Sequence, residues 1–165
     1  MTLAPVGPCI LRRMVQVLVA LLTVVLTGAV QPAAKPNFSG QWKMNAAKSD
    51  FGALPAPTVL TRTITHAEPE LTIEEEQESP IGNQKATRKY KTDGSPSSFE
   101  SNGATVDSSA AWTDTVLVVN SKVDVVGLTF NDRMSLSSDG KTLTSQVHVT
   151  SPMGDIDFTV VFDKQ

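Results

Sequence analysis

Cysteine is all but missing from this chain, and Cys9 is the only one. It stands before an apolar run from Met14 to Val30, whereas a lipid-anchor cysteine would follow such a run. A disulfide, a cysteine metal site and a cysteine nucleophile are therefore excluded from residue 31 onward. Histidine is scarce too: His66 and His148 are the two present, and strand alternation points them to opposite faces, so no two-histidine metal site is expected. There is no GxxxxGK[ST], GxGxxG, CxxC or HExxH, which removes the common signatures of nucleotide and zinc chemistry. No cofactor is expected. Aromatic residues make up only 5% of the chain, and no stretch after residue 30 carries the apolar period of a long helix.

What is present begins with a leader. Arg12 and Arg13 are the only charges of residues 1–30, and the apolar run follows them. A basic edge, an apolar core and then small residues describe a secretory signal peptide, with an uncleaved N-terminal anchor as the alternative. Thr27-Gly28-Ala29 and Pro32-Ala33-Ala34 offer small residues for cleavage. Export to the periplasm or the exterior is the expectation, with membrane contact only through a retained leader. Residues 31–37 read as a Pro/Ala linker and 38–165 as one domain. Roughly 130 residues are enough to bury a core without disulfides. Without Arg12 and Arg13, 14 basic residues become 12 against 17 acidic ones, a net charge of roughly −5. That balance disfavours nucleic acid as a partner and suits a soluble monomer.

Across 38–165 short alternating runs are separated by turn chemistry. Phe38, Gly40, Trp42 and Met44 share one face of the first strand, and Ser39, Gln41 and Lys43 the other. Asn45 to Pro57 fits one short helical turn around Ala46 to Asp50, with Phe51 and Leu54 tucked against a barrel end. Further strands are expected at 58–66, 70–78, 84–92, 98–101, 104–112, 115–125, 128–137, 141–150 and 155–163. Asp93-Gly94 reads as a tight hairpin, because both central residues of such turns want positive φ. The expected fold is all-β: a single antiparallel up-and-down barrel of about eight to ten strands without an open edge. A β-sandwich is the alternative.

The apolar phase of each strand assigns its inner face. Leu60 and Ile64 bring Arg62 and His66 inward; Leu71 and Ile73 bring Glu75 and Gln77. Ala86 and Tyr90 share a face with Arg88, and Val106 and Trp112 share one with the small Ser108 and Ala110. Ser121, Asp132 and Ser145 follow from the later strands. Either the barrel holds a cavity whose polar wall binds a ligand, or these side chains lie near strand ends and reach solvent. In the first case Arg62, Arg88, Tyr90 and His66 are the polar ligand contacts, with Trp42 and Trp112 on the apolar wall. Glu75 and Asp132 then pair with the arginines when no ligand is bound. The expected function is a non-enzymatic binding protein for a small lipophilic or amphipathic molecule. The alternative is a structural or protein-interaction barrel with a filled core. Catalysis by His66 with Glu75 lacks a nucleophile and ranks last.

Phe38-Ser39-Gly40-Gln41-Trp42-Lys43-Met44 resembles the opening strand of the calycin barrels, the lipocalins and fatty-acid-binding proteins. Phe38 to Gly52, Leu136 to Leu143, Ser151 to Gly154 and Val161 to Gln165 resemble a largely uncharacterised group of small exported bacterial proteins described as lipocalin-like. The resemblance implies an exported barrel that binds a small apolar or amphipathic molecule. It also implies a basic residue against the first-strand tryptophan, and Lys164 stands late enough for that. The chain departs from fatty-acid-binding proteins in two places: Asn45 to Pro57 is too short for their two helices, and Phe158-Thr159-Val160-Val161-Phe162 lacks their final-strand Arg-x-Tyr.

Overall fold

The computed structural model describes residues 34–165 except 81 and 102. The leader, its cleavage positions and Cys9 lie outside the described residues. Ten strands follow one another: β1 (Gly40–Met44), β2 (Val59–Ala67), β3 (Glu70–Ser79), β4 (Gly82–Lys91), β5 (Asp93–Ser101), β6 (Ala104–Thr113), β7 (Val116–Val123), β8 (Leu128–Leu136), β9 (Thr142–Ser151) and β10 (Gly154–Lys164). All ladders are antiparallel, and the order around the sheet is β4-β3-β2-β1-β10-β9-β8-β7-β6-β5. This is a ten-stranded up-and-down barrel without an α-helix among the described residues.

First and last strands close the ring. Trp42 stands opposite Lys164 and Met44 opposite Phe162, and Gln165 N donates to Gln41 O at 2.9 Å. The closure is incomplete on the far side. β4 and β5 end the strand order and share no ladder, so the expectation of a ring without an edge is corrected. Asp93-Gly94 does turn the chain, with Gly94 at φ 87°, but it does not make a hairpin. Turn chemistry reverses the chain locally, while pairing depends on where the next strand finds its partner, and β5 finds it in β6. Phe99 of β5 bridges the seam by meeting Tyr90 of β4 edge-on, with ring centroids 5.6 Å apart.

The connection from Asn45 to Thr58 makes one bond of helical span, Ser49 N to Asn45 O at 3.1 Å. It then pairs Asp50 with Thr159 of β10 and stacks Phe51 on Phe158, centroids 6.4 Å apart. The seventh strand is shorter than the 115–125 expected. The ladder stops at Val123, a 3-10 turn takes Asp124–Val126, and Val125 points out to solvent. Gly127 ends that turn in the left-handed region at φ 63°.

Strand alternation fills only part of the interior. Phe38, Trp42, Leu71, Leu117, Met134, Leu143 and Phe162 are buried together at the end where β1 begins and β2 finishes. Beyond them, toward the loops 45–58, 124–126 and 152–153, the barrel is hollow. The filled-core alternative holds for one end only.

Candidate functional site

A cavity of about 580 Å³ occupies the hollow half. Its walls are mostly apolar, with Leu60, Val106, Val119, Phe130, Val147 and Phe158 contributed by six strands, and Leu54, Pro55 and Val126 stand at its mouth. The side chains that end it on the filled side are charged. Arg62 Nε donates to Glu75 Oε2 at 2.6 Å, and Arg88 Nη2 donates to Glu75 Oε1 at 2.9 Å. One carboxylate thus holds two guanidinium groups.

Local alternation explains the arrangement. Arg62 lies between buried Leu60 and Ile64 on β2, and in register it faces Glu75 of β3. Glu75 in turn faces Ala86 on β4, whose small side chain leaves Arg88, two residues on, free to reach back. Burial pushes the Glu75 carboxyl up, but the Arg62 and Arg88 charges outweigh it and hold the group down at about 2. The Tyr90 hydroxyl is pushed up to about 12 by burial, against the pull of Arg88, so it stays a neutral hydrogen-bonding group. Arg62 lies over the ring of Phe162 of the filled half, with its guanidinium carbon 4.5 Å from the ring centroid. Its Nη1 is buried without any hydrogen-bond partner. An orphaned charged donor of this kind is rare in a folded interior. Asp132 of β8 completes the layer and accepts from Ser145 Oγ at 2.6 Å.

The sequence-predicted residues therefore separate by height along the barrel. Arg62, Arg88 and Tyr90 line the cavity; Trp42, His66 and Trp112 do not. Their inward phase is correct for a strand, but they stand in the filled end. There Phe38, His66 and Trp112 stack, with Phe38 to Trp112 centroids 5.6 Å apart. Phe38 N donates to His66 Nδ1 at 3.2 Å, which assigns the ring proton to Nε2, and Nε2 faces Glu68 Oε1 at 3.2 Å. Glu68 also accepts from Trp112 Nε1 and Thr92 Oγ1, both at 2.7 Å, and pairs with Lys35 at 3.4 Å. Burial raises the Glu68 carboxyl, and the bonds from Thr92 and Trp112 with the Lys35 charge bring it on balance below the usual range. This is a staple across the barrel floor, and it leaves His66 no open nitrogen for catalysis. Lys35 and Asn37, expected in a linker, belong to it: Asn37 Nδ2 donates to His66 O at 3.3 Å. Glu68 carried no signal in the sequence beyond standing before a turn proline.

Trp42 anchors the same end, donating from Nε1 to Phe38 O at 2.9 Å. Lys164 Nζ lies 5.2 Å from its ring centroid, the basic partner that the resemblance implied. Gly40 makes room for that lysine. A Cβ at Gly40 would stand 2.8 Å from Lys164 Cε, and the backbone there has φ 141°. We expect Gly40→Val to displace the lysine and strain the strand, costing about 2 kcal/mol in a urea unfolding series. An unchanged midpoint would sink this account of Gly40.

No protein-family profile and no curated protein matches this sequence. Solved structures do match its fold. A secretory abundant heat soluble protein from Ramazzottius varieornatus is similar over 82% of this chain and 100% of its own, at 14% identity and a TM-score of 0.61. Zebrafish ileal bile acid-binding protein complexed with cholic acid is similar over 78% and 98%, at 14% identity and 0.58. Fatty-acid-binding protein 1 of Echinococcus granulosus is similar over 77% and 96%, at 14% identity and 0.53. At these identities the likeness is one of fold. What the likeness shows is the antiparallel up-and-down barrel itself.

Proposed function

We propose that this chain is an exported, non-enzymatic, monomeric binding protein for a small amphipathic molecule held inside the barrel. One observation carries the reading: a cavity of about 580 Å³ with apolar walls ends on a layer of buried charge. Arg62 Nη1, in that layer, has no partner. An apolar body fills the walls and a polar head satisfies the orphaned donor, with Arg88 and Tyr90 beside it. Support comes from barrels of the same fold that are named for binding bile acids and fatty acids. Export, to the periplasm or beyond, is supported by the basic edge and apolar run of the leader.

Organic extracts of the purified domain, analysed by mass spectrometry, are expected to contain a small amphipathic compound at about one per chain. Ala104→Trp tests its location, because Ala104 is a small side chain on the cavity wall. We expect that variant to keep the fold and bind fluorescent amphipaths at least about tenfold more weakly. Equal binding by the variant would place the ligand elsewhere. An empty extract together with no binding across a broad panel would defeat the reading.

A further inference from the structure

Buried Arg62 and the partly exposed Arg88 share a single carboxylate, which leaves the layer one positive charge in excess. Asp132 is the group that decides whether this excess survives. It stands on β8 across the barrel from the arginines and borders the cavity. Among the described residues it makes no ion pair, and its one side-chain hydrogen bond is received from Ser145. The charged and titratable groups that act on it are Arg62 of β2, Glu75 of β3, and Arg88 and Tyr90 of β4. Its flanking strands offer only Ser145 on β9, and on β7 Val119 in register with Ser121 beyond it. Ionised, Asp132 cancels the excess and the cavity suits an uncharged guest. Protonated, it leaves a net cation with a free donor at Arg62 Nη1.

Resting on the binding-protein reading above, we propose that Asp132 couples ligand charge to pH: an anionic head group enters together with one proton. The anion accepts from Arg62 Nη1, and the proton, taken from solvent, goes to the Asp132 carboxylate. Burial moves that carboxyl above the usual range, against the opposing pull of Arg62 and the Ser145 bond, so it takes up a proton at a higher pH than an ordinary aspartate. A second negative charge nearby favours the protonated state further. By linkage, affinity for an anion is greatest where Asp132 is protonated and falls as pH rises through its ligand-free pKa. Uncharged guests follow the opposite preference or none.

The test uses two fluorescent probes that share an apolar body, anilinonaphthalene sulfonate and uncharged phenylnaphthylamine. The sulfonate keeps its charge from about pH 4 to about pH 8, so a slope belongs to the protein. We expect its dissociation constant to rise by up to about tenfold per pH unit above the Asp132 pKa, the limit for one linked proton. Phenylnaphthylamine binding should not weaken over the same range. Asp132→Asn, which keeps the shape and the acceptor for Ser145, should bind the sulfonate with a change of less than about twofold across the range. Ser145→Ala removes a bond that favours the ionised form, and should move the fall to higher pH. A flat sulfonate profile in the natural chain, or an unchanged slope in Asp132→Asn, overturns this inference and leaves the binding reading standing. Failure of both probes at every pH overturns both.

Discussion

Glu75→Gln is expected to destabilise the barrel by about 3–5 kcal/mol, the range for removing one partner of a buried ionic group. The Glu75 side chain is 11% exposed and the Arg62 side chain 8%, so water replaces little of the lost attraction. Glutamine keeps the shape and some hydrogen bonds but leaves two guanidinium groups facing each other without a counter-charge. Urea unfolding with a shared slope measures the loss. A loss under about 1 kcal/mol would mean that the layer is already solvated through the cavity. Replacing Arg62, Glu75 and Arg88 together with Met, Leu and Met should restore most of the stability, because the Coulombic gain of a buried cluster rarely exceeds its desolvation cost. That triple variant should nevertheless lose selectivity for charged ligands. The same group sets an acid limb. Its folded pKa of about 2 lies below an ordinary glutamate's 4.5, so its contribution is complete above about pH 4.5 and fades as pH falls toward 2. Over that window the loss is about 3 kcal/mol, and Glu75→Gln should remove that limb from the stability profile.

Trp42→Ala is expected to cost about as much, again about 3–5 kcal/mol, for a different reason. Trp42 is 1% exposed and packs in the filled half with Phe38 and Phe162. Truncation opens a void in the solidly packed half of the barrel, and the cavity beyond offers no support for collapse. It also strips Phe38 O of its donor and Lys164 of its aromatic face. Trp42→Phe separates these effects: it keeps most of the volume and should cost about 1–2 kcal/mol, mainly for the lost hydrogen bond. If both variants cost the same, packing is not what Trp42 contributes. Because Trp42 lies outside the cavity wall, ligand affinity in Trp42→Phe should stay within about twofold of the natural chain.

Alternation along the strands made one dimension of this barrel legible and left another hidden. The pairs Leu60/Ile64 and Leu71/Ile73, with Tyr90, predicted that Arg62, Glu75 and Arg88 face inward, and all three do. Side-chain period reports the face of a sheet but not the height along the barrel axis. Trp42, His66 and Trp112 therefore share the arginines' inward phase, although they pack in the filled half and do not line the cavity. Height depends on the stagger of ladders such as Trp42 opposite Arg62 and Lys164, and stagger is a property of the closed sheet. The seam escaped for a related reason, since Asp93-Gly94 has the local chemistry of a hairpin whether or not its strands pair. Glu68 escaped because its partners Lys35, His66, Thr92 and Trp112 meet only in the folded chain.

The seam between β4 and β5 also decides which cuts this molecule tolerates. In most hairpin-built sheets any backbone break between neighbouring strands severs a junction that a ladder then holds together. Here the break beside Thr92 would cross no ladder at all, and the residues up to Lys91 would stay zipped to the rest through β1 and β10. The two pieces would each be a continuous meander, 34–91 and 93–165, joined edge to edge by the pairing of Trp42 with Lys164 and of Met44 with Phe162. The molecule is thus a pair of fragments sewn at their outer ends, whose covalent link lies where the sheet is open.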